Sequence, residues 1–106
     1  MALCMRLEAM GYTVESASDA VYAMSSAMTF KPEVVLLDIN LPGGDGFVVA
    51  DRLRASAELA NTPIIFITAS QDPKLRALAS EYRASRYMEK PFQALELVET
   101  IDQLCG

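Results

Sequence analysis

Val34-Val35-Leu36-Leu37-Asp38-Ile39-Asn40-Leu41-Pro42-Gly43-Gly44-Asp45-Gly46-Phe47 is the stretch on which the reading of this sequence turns. Its first four residues form a continuous apolar run rich in β-branched side chains. Such a run describes a strand buried on both faces of a parallel sheet. Asp38 then stands where that strand ends. In open α/β sheets, ligands gather at the carboxyl edge of the strands. The loop that follows is tight and glycine-rich, so little side-chain bulk surrounds the carboxylate.

Ile64-Ile65-Phe66-Ile67 is a second run of the same kind, and it ends on Thr68. Tyr87-Met88-Glu89 makes a shorter strand before Lys90-Pro91, and Tyr12 to Ser16 reads as another after Gly11. Amphipathic stretches lie between them. The spacing predicts a helix from about Gly46 to Ser56, with Phe47, Val48, Ala50 and Leu53 inward. A second is expected from Pro73 to Tyr82, with Asp72 as its cap and Leu75, Leu78, Ala79 and Tyr82 on one face. A third covers Gln93 to Leu104, turning Leu95, Val98, Ile101 and Leu104 or Cys105 inward. Upstream, Ala2 to Met10 reads as a helix ended by Gly11, and Ser18 or Asp19 caps another that reaches Phe30. Strict alternation of helix and strand implies parallel crossovers with helices on both faces of one sheet.

Composition narrows the function. A chain of 106 residues with 52% hydrophobic and 22% charged residues fits one compact domain spanning 1–106. No apolar run is long enough to cross a bilayer and no signal-peptide pattern opens the chain, so a cytoplasmic place without membrane attachment is expected. There is no histidine, and Cys4 and Cys105 lie at opposite ends, which excludes a structural zinc site. A net charge of −5 without a basic run argues against direct binding to nucleic acid.

Three strands thus bring a carboxylate, Asp38, a hydroxyl, Thr68, and an ammonium, Lys90, to one edge of a sheet. Transfer of a phosphoryl group uses such a set: an acceptor oxygen, a donor to the equatorial oxygens and a cation for their charge. The segments around Asp38, around Thr68 in Ile64-Ile65-Phe66-Ile67-Thr68-Ala69, and around Lys90 in Tyr87-Met88-Glu89-Lys90-Pro91-Phe92 resemble, in order and spacing, the signatures of response-regulator receiver domains, the CheY-like modules of two-component signalling. The resemblance covers the whole chain.

It implies a flavodoxin-like, doubly wound parallel sheet of order 2-1-3-4-5. Asp38 would take a phosphoryl group from the phosphohistidine of a sensor histidine kinase or phosphotransfer protein. Thr68 would bind a phosphoryl oxygen and Lys90 would pair with Asp38 or its phosphate. Asp38 and the backbone carbonyl of Asn40 would be Mg²⁺ ligands. Tyr87 matches the aromatic switch residue, whose ring turns inward when Thr68 moves toward the phosphate, and Ser70 and Asn40 the positions that tune dephosphorylation. A cis Lys90–Pro91 bond, a downstream output protein or domain, and an interaction face bearing Lys74, Arg76, Arg83 and Arg86 are also implied.

The sequence departs from the family at its start. The family opens on a strand whose paired acids hold Mg²⁺, and Glu8, Glu15, Asp19 and Glu33, the acids upstream of Asp38, are not placed to substitute. Met1 is therefore expected to fall inside the family's first helix, with the first strand missing through truncation rather than evolved loss. The neighbouring strands would then pair directly, or a second copy would complete the sheet as a homodimer or exchanged dimer. Arg83, where the family usually has glycine, implies a changed turn. The alternative function is a degenerate receiver, a binding or assembly module that needs no phosphate. A phosphatase of the haloacid-dehalogenase type would need a second aspartate where Asn40 stands, and room for a cap domain.

Overall fold

A computed structural model describes residues 7–12, 20–39, 46–82 and 85–105. Its elements run, in chain order, α1 (Ala20–Phe30), β1 (Val35–Asp38), α2 (Gly46–Ala55), β2 (Ile64–Thr68), α3 (Pro73–Ala79), β3 (Ser85–Glu89) and α4 (Ala94–Cys105). Among the described residues the strands form one parallel sheet in the order β1-β2-β3. That order agrees with the last three places of the expected 2-1-3-4-5 arrangement.

β2 organises the whole. All five of its residues are buried, and its side chains alternate between two cores. Ile64 and Phe66 join Leu37, Val49, Ala50, Leu53 and Ala79 on one face, with Ala23, Met24 and Ala27 of α1 packed against them. Ile65 and Ile67 meet Leu97, Ile101 and Leu7 on the other. Helices therefore cover both faces: α1, α2 and α3 one, α4 and the segment around Leu7 the other. A strand buried this way cannot satisfy its backbone from water, so it pairs on both edges.

The first apolar run behaves differently. Within β1 only Leu37 is fully buried, and Val35, Leu36 and Asp38 keep partial exposure. Among the described strands β1 has one neighbour, β2, which leaves it less covered than the expectation of burial on both faces.

Helix limits follow local chemistry. Gly11, at φ 96°, ends the helical turn over 7–9, as its lack of a side chain permits. α1 ends on Lys31 at φ 55°, whose N–H donates to the Ala27 carbonyl at 2.9 Å before Pro32 prevents continuation. Asp72 caps α3, accepting from the Lys74 N–H at 2.9 Å, with Pro73 in the first turn. The structure shortens α3 to Ala79, because Ser80 closes it through its N–H to the Arg76 carbonyl at 3.1 Å.

Three inward assignments fail. Val48 is 40% exposed and Val49 takes its place in the core, since the helix begins at Gly46 and sets the inward stripe one residue later. Leu78, 46% exposed, and Leu95, 62% exposed, point to solvent, and Leu97 fills the α4 position nearest the sheet. Tyr82 keeps its inward role although it lies beyond the end of α3. It stacks on Phe47 at 5.9 Å, and its hydroxyl donates to Asp51 Oδ1 at 2.6 Å. The third strand starts at Ser85, two residues before the expected Tyr87. The strand expected to Ser16 falls outside the described residues except for Tyr12, as do Ser18, Asp19 and Arg83.

Gly46 locks β1 to α2. Its N–H donates to the Ile39 carbonyl at 2.8 Å, and a Cβ placed there would lie 2.7 Å from the Asp38 carbonyl oxygen. Gly46→Ala is expected to lower stability by about 1–3 kcal/mol, measured by urea unfolding, because the backbone it strikes cannot swing aside.

Candidate functional site

The parallel register sets the geometry of the carboxyl edge. Asp38 pairs with Ile67, and Thr68 pairs with Glu89, so the ends of the strands step across the sheet one residue at a time. Two further hydrogen bonds continue the ladder past the strands. The Ile39 N–H donates to the Ile67 carbonyl at 3.0 Å, and the Lys90 N–H donates to the Thr68 carbonyl at 2.8 Å. The backbone leaving β3 is thereby tied to Thr68, and the cis peptide at Lys90–Pro91 follows immediately.

Lys90 reaches back over β2 to Asp38. Its Nζ lies 3.0 Å from Asp38 Oδ2, joining residues 52 apart in the chain. Both side chains remain partly open to solvent, so the pair is accessible to a ligand and contributes little to folding, on the order of 0–1 kcal/mol. Thr68 lies between them on the central strand, fully buried. Its Oγ1 accepts the Ser70 N–H at 3.0 Å. Asp38 and Lys90, predicted as members of one site, are in direct contact, and Thr68 is held beside them by the ladder. Asn40 lies outside the described residues.

Chemically, this edge offers a carboxylate oxygen as nucleophile, an ammonium beside it and a hydroxyl on the intervening strand. A transferable group with developing negative charge suits such an arrangement.

The chain aligns over residues 1–102 with the model of the response regulator receiver domain. It belongs to that family. The DNA-binding dual master transcriptional regulator RpaA of Synechocystis is 32% identical over 98 residues, which are 92% of this chain and 41% of that protein. The response regulator GraR of Staphylococcus epidermidis is likewise 32% identical over 98 residues, covering 92% of this chain and 42% of that protein. The chain thus spans about two fifths of the length of these relatives. Among solved structures, the receiver domain of the sensor histidine kinase PA1611 from Pseudomonas aeruginosa superposes with a TM-score of 0.88 at 28% identity. That match covers 99% of this chain and 86% of the other. The CheY-like receiver fold, a parallel sheet flanked by helices, follows from these matches and from the topology.

The PA1611 receiver holds a magnesium ion in its active-site cleft. Here, among the described residues, no three Asp, Glu, Cys or His side chains come together as a metal-binding group. Asp38 commits one oxygen to Lys90. Mg²⁺ requires near-octahedral oxygen donors, so these described side chains do not by themselves make up a receiver-type Mg²⁺ site.

Tyr87 shows an arrangement that sequence reasoning did not foresee. Its ring packs toward the Phe66 core, and its hydroxyl oxygen is buried with no hydrogen-bond partner. Burial pushes the phenol above its ordinary pKa, the charges of Glu89 and Asp72 add to this, and Arg76 opposes it. Arg76 lies over the ring, 4.7 Å from its centre, and donates to Glu89 Oε1 at 3.2 Å. An arginine one turn into a short helix carries no sequence signal for that placement.

An unpaired buried hydroxyl costs about 1–3 kcal/mol, more than an exposed cation–π contact of about 0.5–1 kcal/mol returns. Tyr87→Phe is therefore expected to raise stability by about 1 kcal/mol at neutral pH. The raised pKa means that folding is weakened as pH climbs past 10.0, where the unfolded phenol ionises first. The phenylalanine variant lacks that loss. Urea unfolding at pH 7 and above pH 10 should show its advantage widening with alkali.

Proposed function

We propose that this receiver domain is a phosphoaccepting switch whose acceptor is Asp38. The observation that carries the reading is the 3.0 Å contact between Lys90 Nζ and Asp38 Oδ2 at the carboxyl edge of the sheet, with Thr68 on the strand between. In the transfer, an Asp38 oxygen attacks phosphorus, a phosphorus–oxygen bond forms, and the phosphorus–nitrogen bond of a phosphohistidine breaks. The imidazole, protonated on its other ring nitrogen by solvent beforehand, leaves as the neutral ring. Lys90 offsets the charge brought to Asp38, and the Thr68 hydroxyl donates to a phosphoryl oxygen. The protein is a signalling domain that accelerates its own phosphorylation rather than an enzyme with a released product.

The donor is a sensor histidine kinase or a phosphotransfer protein, and the reader is an output protein or domain that senses the phosphorylated face. Direct contact with nucleic acid is not assigned to these 106 residues, whose net charge is −5. No helix among the described residues is long and apolar enough to cross a membrane, and a cytoplasmic place is proposed with the donor. Tyr87 is read as the switch residue that responds to Thr68.

A second reading is a binding module that works without phosphate. One assay separates the two. The chain is incubated with a small-molecule phosphodonor and Mg²⁺ and followed by intact mass. An acid-stable, base-labile adduct is expected, absent from Asp38→Asn and formed at least about tenfold more slowly by Lys90→Ala. An adduct that persists in Asp38→Asn, or no adduct at all, overturns the phosphoacceptor reading.

A further inference from the structure

α1 stands apart in composition. Its eleven residues, Ala20–Phe30, include no charged one, although 22% of the chain is charged. Three of the seven large apolar side chains exposed among the described residues lie on it: Tyr22 at 62%, Met28 at 40% and Phe30 at 37%. The core does not account for them, because Ala23, Met24 and Ala27 are the residues of α1 that pack against it. A helix on a domain surface ordinarily turns charged residues outward. Here the outward stripe is Tyr22, Ser25, Ser26 and Thr29, at the i, i+3, i+4, i+7 spacing of one helix face. Tyrosine among small hydroxyl residues, without charge, is the composition of a contact surface.

A second copy of the chain fits this face. The stripe is symmetric about its midpoint, so two antiparallel helices related by a two-fold axis set Tyr22 of each against Thr29 of the other. Ser25 and Ser26 then meet at the axis, where small side chains let the helices approach closely. The Ser25 hydroxyl already donates to the Tyr22 carbonyl at 3.1 Å, so covering it leaves no donor unpaired. Charge selects the same partner. Each copy carries −5, and two copies repel wherever their acids meet. Among the described helices only α1 has no charged residue, so its face is where two copies approach without that cost.

We propose that the outward face of α1 is the contact between two copies of this chain, packed antiparallel about an axis between Ser25 and Ser26. The helix is about 16 Å long, too short to cover the roughly 800 Å² per partner of a standard interface. The dimer is therefore weak and reversible, with a Kd on the order of 10⁻⁴ M. It makes no use of Asp38 and does not involve a sheet edge.

The test is sedimentation equilibrium of the full chain up to about 1 mM, at low and at high salt. Dimers are expected, about threefold tighter in about 0.5 M than in about 0.05 M salt, because screening removes the repulsion between copies. Tyr22→Glu puts a charge into the contact from each copy and should weaken association at least about tenfold. Thr29→Glu, at the other end of the stripe, should do the same, and should one variant fail to fold the other decides. Leu95→Glu adds the same charge on α4, at a site 62% exposed, and should cost no more than about twofold. Combining Tyr22→Glu with Thr29→Lys should recover part of the loss, since these positions face each other when the helices run antiparallel. A chain that stays monomeric at every concentration overturns the proposal. So does a dimer that tolerates both Tyr22→Glu and Thr29→Glu, which puts the contact elsewhere, or one that salt weakens, which makes it an ion-paired face. A combined variant no tighter than Tyr22→Glu alone overturns the antiparallel pairing.

Discussion

The structure depends on β2 being buried on both faces and paired on both edges. Its backbone is satisfied by parallel ladders on both edges, and a parallel ladder aligns strand ends in one direction. Asp38, Thr68 and Lys90 arrive together because each stands at, or one residue past, the carboxyl end of its own strand. Their proximity is a consequence of register, carried past the strands by the bonds from Ile39 to Ile67 and from Lys90 to Thr68.

The core and the site meet at few points, each with a distinct physical cost. Gly46 has no side chain because the Asp38 carbonyl occupies the space where a Cβ would go. Phe47, next in line, is held between Phe66 and Tyr82, with ring centres 5.1 and 5.9 Å away. The end of β1 that carries Asp38 is thereby joined to the aromatic group beneath α2 and α3. On the other side, Arg76, Tyr87 and Glu89 connect α3 to β3 immediately before Lys90. Rigid packing on one flank and a solvent-facing ion pair on the other suit the proposed role of an edge that receives a group and reports its arrival.

Much of this was legible in the residues. Two apolar runs bounded by Pro, Asn and Gly located β1 and β2, and the residues that end them meet at the candidate site. Asp72-Pro73 announced the start of α3, and Gly11 the end of the first helical turn. What could not be read was rotational phase within helices. Val48 and Val49 are equivalent as residues, and the starting point at Gly46 decides which is buried. Leu95 and Leu97 pose the same problem in α4, where tertiary contact with the sheet selects Leu97. The expectation that β1 is as buried as β2 also failed, because burial depends on neighbours that a strand's own residues do not encode. Arg76 was visible only as a charge, since its placement depends on a ring on a strand that lies eleven residues further along the chain.

The contact between Lys90 and Asp38 is the most direct expression of this account, and lysine-selective nitrogen NMR reads it without reference to activity. The chain has three lysines, Lys31, Lys74 and Lys90. The Lys90 ammonium should show slowed proton exchange and a through-hydrogen-bond coupling to the Asp38 carboxylate carbon, both lost in Asp38→Asn while the other two signals stay unchanged. A Lys90 signal that exchanges as fast as those of Lys31 and Lys74, and that ignores Asp38→Asn, would contradict the account.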